Sequence, residues 1–199
     1  MGKVHESINQ KLRTFIERQP LFFVATAPLS AGGHVNVSPR GLPGTFAVLD
    51  ERTFAWLDVT GSGSETIAHL RENGRITVMF CAFDGPPNIV RLHGRGRTVT
   101  RYDDGFTQLA ARFEQQPGTR AVIVVDVERV SDSCGWGVPL MSFEGHRELL
   151  GPFFERKGDD GSAAYRVGKN RRSIDGMPAY DYDPVGTGTE TGAGAAGSA

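Results

Sequence analysis

Thr60, Gly61, Ser62, Gly63, Ser64, Glu65 and Thr66 crowd glycines and hydroxyls just ahead of a helical pattern. A turn of this kind presents free backbone N–H groups at a helix start, where an anion is stabilised. The chemistry on offer is phosphate binding by those amides and by the hydroxyls of Ser62, Ser64 and Thr66. A flexible loop with an N-capping serine accounts for the same residues, and taken alone the stretch favours that plainer reading. No Gly-Lys-Ser/Thr closes it, so it is not a P-loop, and it lacks the spacing of a dinucleotide fingerprint.

Arg40, in Ser38-Pro39-Arg40-Gly41, follows the proline that ends a predicted strand and offers a fork for phosphate. A solvated surface arginine explains it equally well. Arg91, His93, Arg95 and Arg97 recur with period two and share one strand face. That face is either solvated and paired with acids such as Asp126 and Glu128, or it lines an anionic ligand. It lacks the interleaved aromatics of a single-strand nucleic-acid platform. Trp136 in SCGWGVP has a ring that stacks on a planar ligand or fills a core, and Arg147 lies beyond it. The five histidines and two cysteines show no metal-ligand spacing, and GSGSE lacks the last glycine of a nucleophile elbow.

The elements that must position these residues follow from periodicity. Ile8, Leu12, Phe15 and Ile16 form one apolar stripe, predicting a helix over 6–18 with Ser7 as its cap. LFFVATA (21–27) reads as a buried strand, and HVNVS (34–38) as its return, ended by Pro39. TFAVLD (45–50) and TFAWLD (53–58) form a hairpin. A helix over 64–73 ends at Gly74, and RITVMFCAF (75–83) is a strand closed by the Pro86-Pro87 loop. NIVRLHGRGRTVT (88–100) is a long strand whose two glycines predict a sharp bend. Asp103 or Asp104 caps a helix carrying Phe106, Leu109, Ala110 and Phe113, before the strand AVIVVDVERV (121–130). SCGWGVP is a turn, and 142–149 and 151–185 carry no clear pattern. Many short strands with few helices predict a mainly β fold, a closed antiparallel barrel with helical caps.

The chain has 199 residues, 39% of them hydrophobic, and a formal charge of −1. This predicts one domain over 1–185, with a disordered Gly/Ala/Thr-rich tail over 186–199. The charge gives no pull toward nucleic acid or an anionic membrane. No apolar run approaches the roughly 20 residues of a membrane span. MGKVHESINQKL lacks the apolar run of a signal peptide. Cys81 and Cys134 fit no disulfide framework, so a cytoplasmic protein with reduced thiols is expected.

Set in this order, the motifs SPRG, GSGSET, MFCAF, SCGWGVP and SIDGMP resemble the pyridoxamine 5′-phosphate oxidase-like family, the FMN-binding split barrels. The resemblance covers about residues 10–150 in element order and is strongest at 58–98. It implies a six-stranded antiparallel split β-barrel with FMN at a homodimer interface. The implied cofactor-binding residues are Ser38, Arg40, Gly41, Thr60, Gly63, Ser64, Glu65, Thr66, Arg91, Trp136 and Arg147, with no metal. The family oxidases place Arg-Lys where this chain has Glu65-Thr66. Helix amides, Ser64 and Thr66 would then hold the phosphate, with Arg40 supplying the cation. The basic residues that grip the vitamin B6 substrate have no recognisable counterparts, so the resemblance is to a flavin-nucleotide-binding subgroup.

The resemblance implies an FMN-dependent oxidoreductase acting on a small organic substrate. Its alternatives are an F420-dependent reductase of the same fold and a flavin-binding protein without turnover. Residues 169–180 are expected either to fold over the partner's flavin or to form an ordinary docking loop.

Overall fold

The computed structural model describes residues 2–180, so the expected tail lies outside the described residues. The elements run β1 (Lys3–His5), α1 (Gln10–Arg18), β2 (Phe22–Thr26), β3 (Asn36–Arg40), β4 (Phe46–Asp50), β5 (Thr53–Val59) and α2 (Glu65–Asn73). They continue with β6 (Arg75–Cys81), β7 (Ile89–Thr100), α3 (Phe106–Ala110), β8 (Thr119–Ser133) and α4 (Leu150–Lys169). Eight strands form one antiparallel sheet, rather than the six expected. The hydrogen-bonded order is β3-β2-β6-β7-β8-β5-β4, with β1 also on β8. The long β8 serves three neighbours: β7 along one edge, and on the other β5 up to Asp126 and then β1 from Val130.

One face of this curled sheet is apolar because strand side chains alternate. Phe22, Phe54 and Phe80 are fully buried there, and the Phe22 ring lies 5.0 Å from Phe46, 5.5 Å from Phe54 and 5.4 Å from Phe80. Burying each such ring contributes on the order of 2–3 kcal/mol. A second cluster on the other face packs Leu57, Val122 and Val124 against Ala110 and Phe113. That double burial explains the unbroken apolar run 121–125, where one buried face would give alternation. The bend foreseen in β7 is a register shift at His93/Gly94, where a Cβ would collide with the Asp126 carbonyl oxygen.

Several expectations change. The first helix starts at Gln10, not residue 6, because Asn9 caps it by accepting the Leu12 N–H at 3.0 Å. Pro39 lies inside β3, opposite Phe23, which β3 tolerates as an edge strand. Asp103 does not cap α3: Gly105 holds that position, and the Asp103 carboxylate accepts from Thr100 N–H and hydroxyl instead. α4 was not foreseen. Its glycines dilute the helical pattern, and Gly158 sits at φ 62°, ψ −174°, splitting it into two helical halves.

Candidate functional site

β3 alternates, so Asn36, Ser38 and Arg40 share the inward face while Val37 and Pro39 point outward. Their polar groups meet the first turn of α2. Asn36 donates through Nδ2 to Thr26 Oγ1 at 3.1 Å and Thr66 Oγ1 at 3.2 Å, and Ser38 donates to Asn36 Oδ1 at 2.8 Å. Thr26 Oγ1 also lies 2.9 Å from His69 Nδ1. His69 is fully buried and its Nε2 has no partner among the described residues. Burial holds its pKa below the ordinary histidine value, so the ring is neutral.

Beside this network, the Asp58 carboxylate is shared by two guanidiniums. Arg120 donates through Nε to Oδ2 at 2.7 Å, and Arg40 Nη2 lies 3.5 Å from Oδ1. Asp58 and Arg120 are buried, and Arg120 also donates to the Gly63 carbonyl at 3.0 Å, which fixes the glycine-rich turn. Arg40 is partly buried, donates to the Pro39 carbonyl, and keeps its Nε buried without a partner. Two cations on one carboxylate leave this cluster with one surplus positive charge, beside the N-terminal first turn of α2, which carries Glu65. No side chain caps that terminus, since the Ser64 hydroxyl makes no capping bond. The arrangement suits an anion. Thr60 stays outside it, its N–H and hydroxyl both donating to the Gly118 carbonyl.

Residues 170–180 form a hairpin that lies across the same turn of its own chain. Ser64 Oγ donates to the Arg172 carbonyl at 3.1 Å, and Ile174 N–H donates to Glu65 Oε1 at 3.2 Å. Asn170 Nδ2 donates to the Gly61 carbonyl at 2.9 Å. Asp175 accepts from His34 N–H at 2.8 Å and lies 2.6 Å from its Nδ1. Ser64 and Glu65 are thus committed to the hairpin, which gives a local role to the carboxylate at position 65.

The structure brings together Ser38, Arg40, Gly63, Ser64, Glu65 and Thr66. Gly41 sits against the Pro20 carbonyl, with no room for a Cβ, at the edge of a cleft of about 530 Å³ lined also by Phe46, Phe83, Met141 and Phe143. Arg91 lies on the sheet's other face and donates to Ser133 Oγ at 3.1 Å. Trp136 is 83% exposed, so it is no core residue, and Arg147 is exposed. Sequence reasoning missed Asn36, Asp58, His69 and Arg120. Asp58 and Arg120 stand out only as charges inside apolar strand patterns, and their pairing at 58↔120 depends on the fold. No cluster of potential metal ligands exists among the described residues, and no helix there is long and apolar enough to cross a membrane.

A split antiparallel barrel with a cationic, hydroxyl-rich mouth at an uncapped helix start defines the class of protein. The model of the pyridoxamine 5′-phosphate oxidase family matches residues 8–134. The chain is 44% identical over 190 residues to the pyridoxamine 5′-phosphate oxidase family protein ustO of Aspergillus flavus, covering 87% of this chain and 76% of that protein. The protein belongs to the pyridoxamine 5′-phosphate oxidase family. Solved structures similar to it include Group A Streptococcus HupZ, at 25% identity and TM-score 0.48 over 62% of this chain and 91% of that one. Another is the FAD binding protein from Mycobacterium smegmatis, at 18% identity and TM-score 0.46 over the same shares, 62% and 91%.

Proposed function

We propose that this protein is an FMN-dependent oxidoreductase for a small organic substrate, with the cofactor held at a homodimer interface. One observation carries the reading: Arg40 keeps a buried Nε that has no partner, and it shares Asp58 with the Arg120 that holds the Gly63 turn ahead of α2. Desolvating such a donor is costly unless a ligand accepts from it. The residues present fit a flavin phosphate. Arg40 offers a charged fork, Thr66 and Ser38 offer hydroxyls, and the α2 amides offer dipoles. Ser64 and Glu65 are excluded from that set by their bonds to the hairpin.

FMN supplies two-electron redox chemistry when bound. The chain's own part is binding and electrostatics. Arg120 neutralises Asp58 and so leaves Arg40 available to an anion. His69, buried and neutral behind Thr26, keeps the network uncharged. The cleft beginning at Gly41 has the size for a small organic substrate and an apolar wall in Phe46 and Phe83. Arg91, Trp136 and Arg147 lie apart from the phosphate site of their own chain, and in a homodimer they would serve the other copy's flavin.

A second reading is favoured by β7, whose Arg95 and Arg97 are exposed beside Arg91: the acidic tail of F420 would suit that row. Absorbance of the purified protein separates the two. FMN-like absorbance that is lost in Arg40→Ala, with the fold intact, supports the FMN reading. A protein that binds F420 and not FMN overturns it. FMN that no reductant reduces and no acceptor reoxidises makes the protein a flavin carrier.

A further inference from the structure

We propose that the kink of α4 houses a second, separate anion site, which takes a small ligand bearing a phosphate or carboxylate group. Arg166 is its charge. This residue is only 2% exposed, yet its Nε and Nη1 have no hydrogen-bond partner. Its remaining contacts are weak for a buried cation: Nη2 lies 3.4 Å from the Tyr102 hydroxyl, and the guanidinium sits 6.0 Å from the Tyr180 ring centre. No carboxylate pairs with it among the described residues. Burying a guanidinium in this state is strongly unfavourable, so the site is incomplete without an acceptor.

The surroundings show where that acceptor sits. The buried face of α4 is Phe154, Ser162 and Arg166. Helical side chains tilt toward the N-terminus, so Arg166 reaches back along the axis to the level of Ser162. Ser162, Gly158, Gly118 and Arg101 line a cavity of about 230 Å³. Gly158 breaks the helical geometry, and the helix restarts at Asp159 with first-turn amides aimed into the kink. A restarting helix and a cavity therefore meet at Ser162, one turn ahead of the buried unpaired cation. The charges that line the cavity are Arg101, Asp159 and Glu155, and Arg166 stands one helical turn behind Ser162, its guanidinium beside Tyr102 and Tyr180. Asp159 pairs with Arg101 at 3.6 Å but its side chain is 91% exposed, a contact an incoming anion readily replaces. The inference stands independently of the flavin reading, because Arg40 and Arg166 belong to different clusters.

The test is a thermal-unfolding titration of the full-length apo protein with inorganic phosphate, and separately with acetate, at constant ionic strength. In an Arg40→Ala background, where the proposed flavin-phosphate site cannot contribute, a saturable rise in Tm is expected, and adding Arg166→Met abolishes it. The stronger of the two probes names the ligand class. If Arg166→Met does not fold, Arg166→Lys replaces it, and its rise must saturate at higher concentration than in Arg40→Ala alone. A rise that survives Arg166→Met in the Arg40→Ala background overturns the proposal, as does no saturable rise in that background. A folded Arg166→Met protein markedly less stable than wild type in anion-free buffer also overturns it, because Arg166 would then already have its counter-charge.

Discussion

Asp58 holds two guanidiniums, and only one of those bonds is structural. The Asp58–Arg120 pair is buried on both sides at 2.7 Å, so removing the carboxylate's charge leaves Arg120 desolvated and uncompensated. Asp58→Asn is expected to cost about 3–5 kcal/mol, the range for breaking a buried pair, read as a lower urea midpoint. A loss below about 1 kcal/mol, the range of exposed pairs, would mean that water reaches this site. His69 gives a residue-scale pH dependence. Burial lowers its pKa in the fold from the ordinary value of 6.5. The unfolded chain therefore takes up a proton first as pH falls through 6.5, and stability drops below that point and is level above it. His93 acts in the same direction, through its own burial and then Arg129 and Arg91. The lowered carboxylates Asp50, Asp132 and Asp175 act only below about pH 4. Urea unfolding at pH 7.5 and 5.5 should show a loss on acidification that shrinks in His69→Gln. An unchanged loss would assign the effect to His93 alone.

At the scale of elements, the hairpin over 170–180 divides the hydroxyls of α2 into two kinds. Ser64 anchors the hairpin, whereas Thr66 faces the Asn36 network and the proposed phosphate. Ser64→Ala is expected to cost roughly 0.5–1.5 kcal/mol and to raise amide exchange over 170–180, with FMN affinity unchanged. Thr66→Ala should do the reverse, weakening FMN and leaving hairpin exchange alone. Equal effects on FMN from both would place Ser64 back in the cofactor site. The strands and α2 were legible in the sequence because their signals are local: the apolar run of β2, period-two alternation in β7, the Gly74 stop and the Pro86-Pro87 loop. Arg40, Ser38 and Thr66 were legible as polar residues at element ends. What stayed hidden depends on contacts distant in sequence. Asp58 meets Arg120 across a strand pair, and Ser64 meets Arg172 through a hairpin 108 residues on. α4 was obscured because its buried face includes Ser162 and Arg166, which read as surface residues.

For the whole molecule, the segment from 136 to 149 is a single long stretch of exposed chain without regular structure. It carries Trp136 at 83%, Leu140 at 81%, Phe143 at 59% and Leu149 at 72% exposure, and its Met141 N–H is pinned to the Phe83 carbonyl at 2.8 Å. Val35 and Val37 on the edge strand β3 are also exposed, at 70% and 63%. Scattered apolar residues are ordinary, but exposed Trp136, Leu140, Met141 and Phe143 crowd the first half of one arm, and such a concentration marks an association surface. In the proposed homodimer this arm is what the second copy covers, and it walls the cleft beginning at Gly41 through Met141 and Phe143. Charging the arm tests association and cofactor binding together. Leu140→Asp with Phe143→Asp should give a folded monomer by light scattering, because neither side chain supports its own barrel. FMN affinity should fall in the same protein, since the flavin would lose the half of its site that the other copy supplies. Arg40→Ala should instead lose FMN and remain a dimer. A charged-arm protein that stays dimeric would place the interface elsewhere, and a monomer that keeps full FMN affinity would place the whole flavin site within one chain.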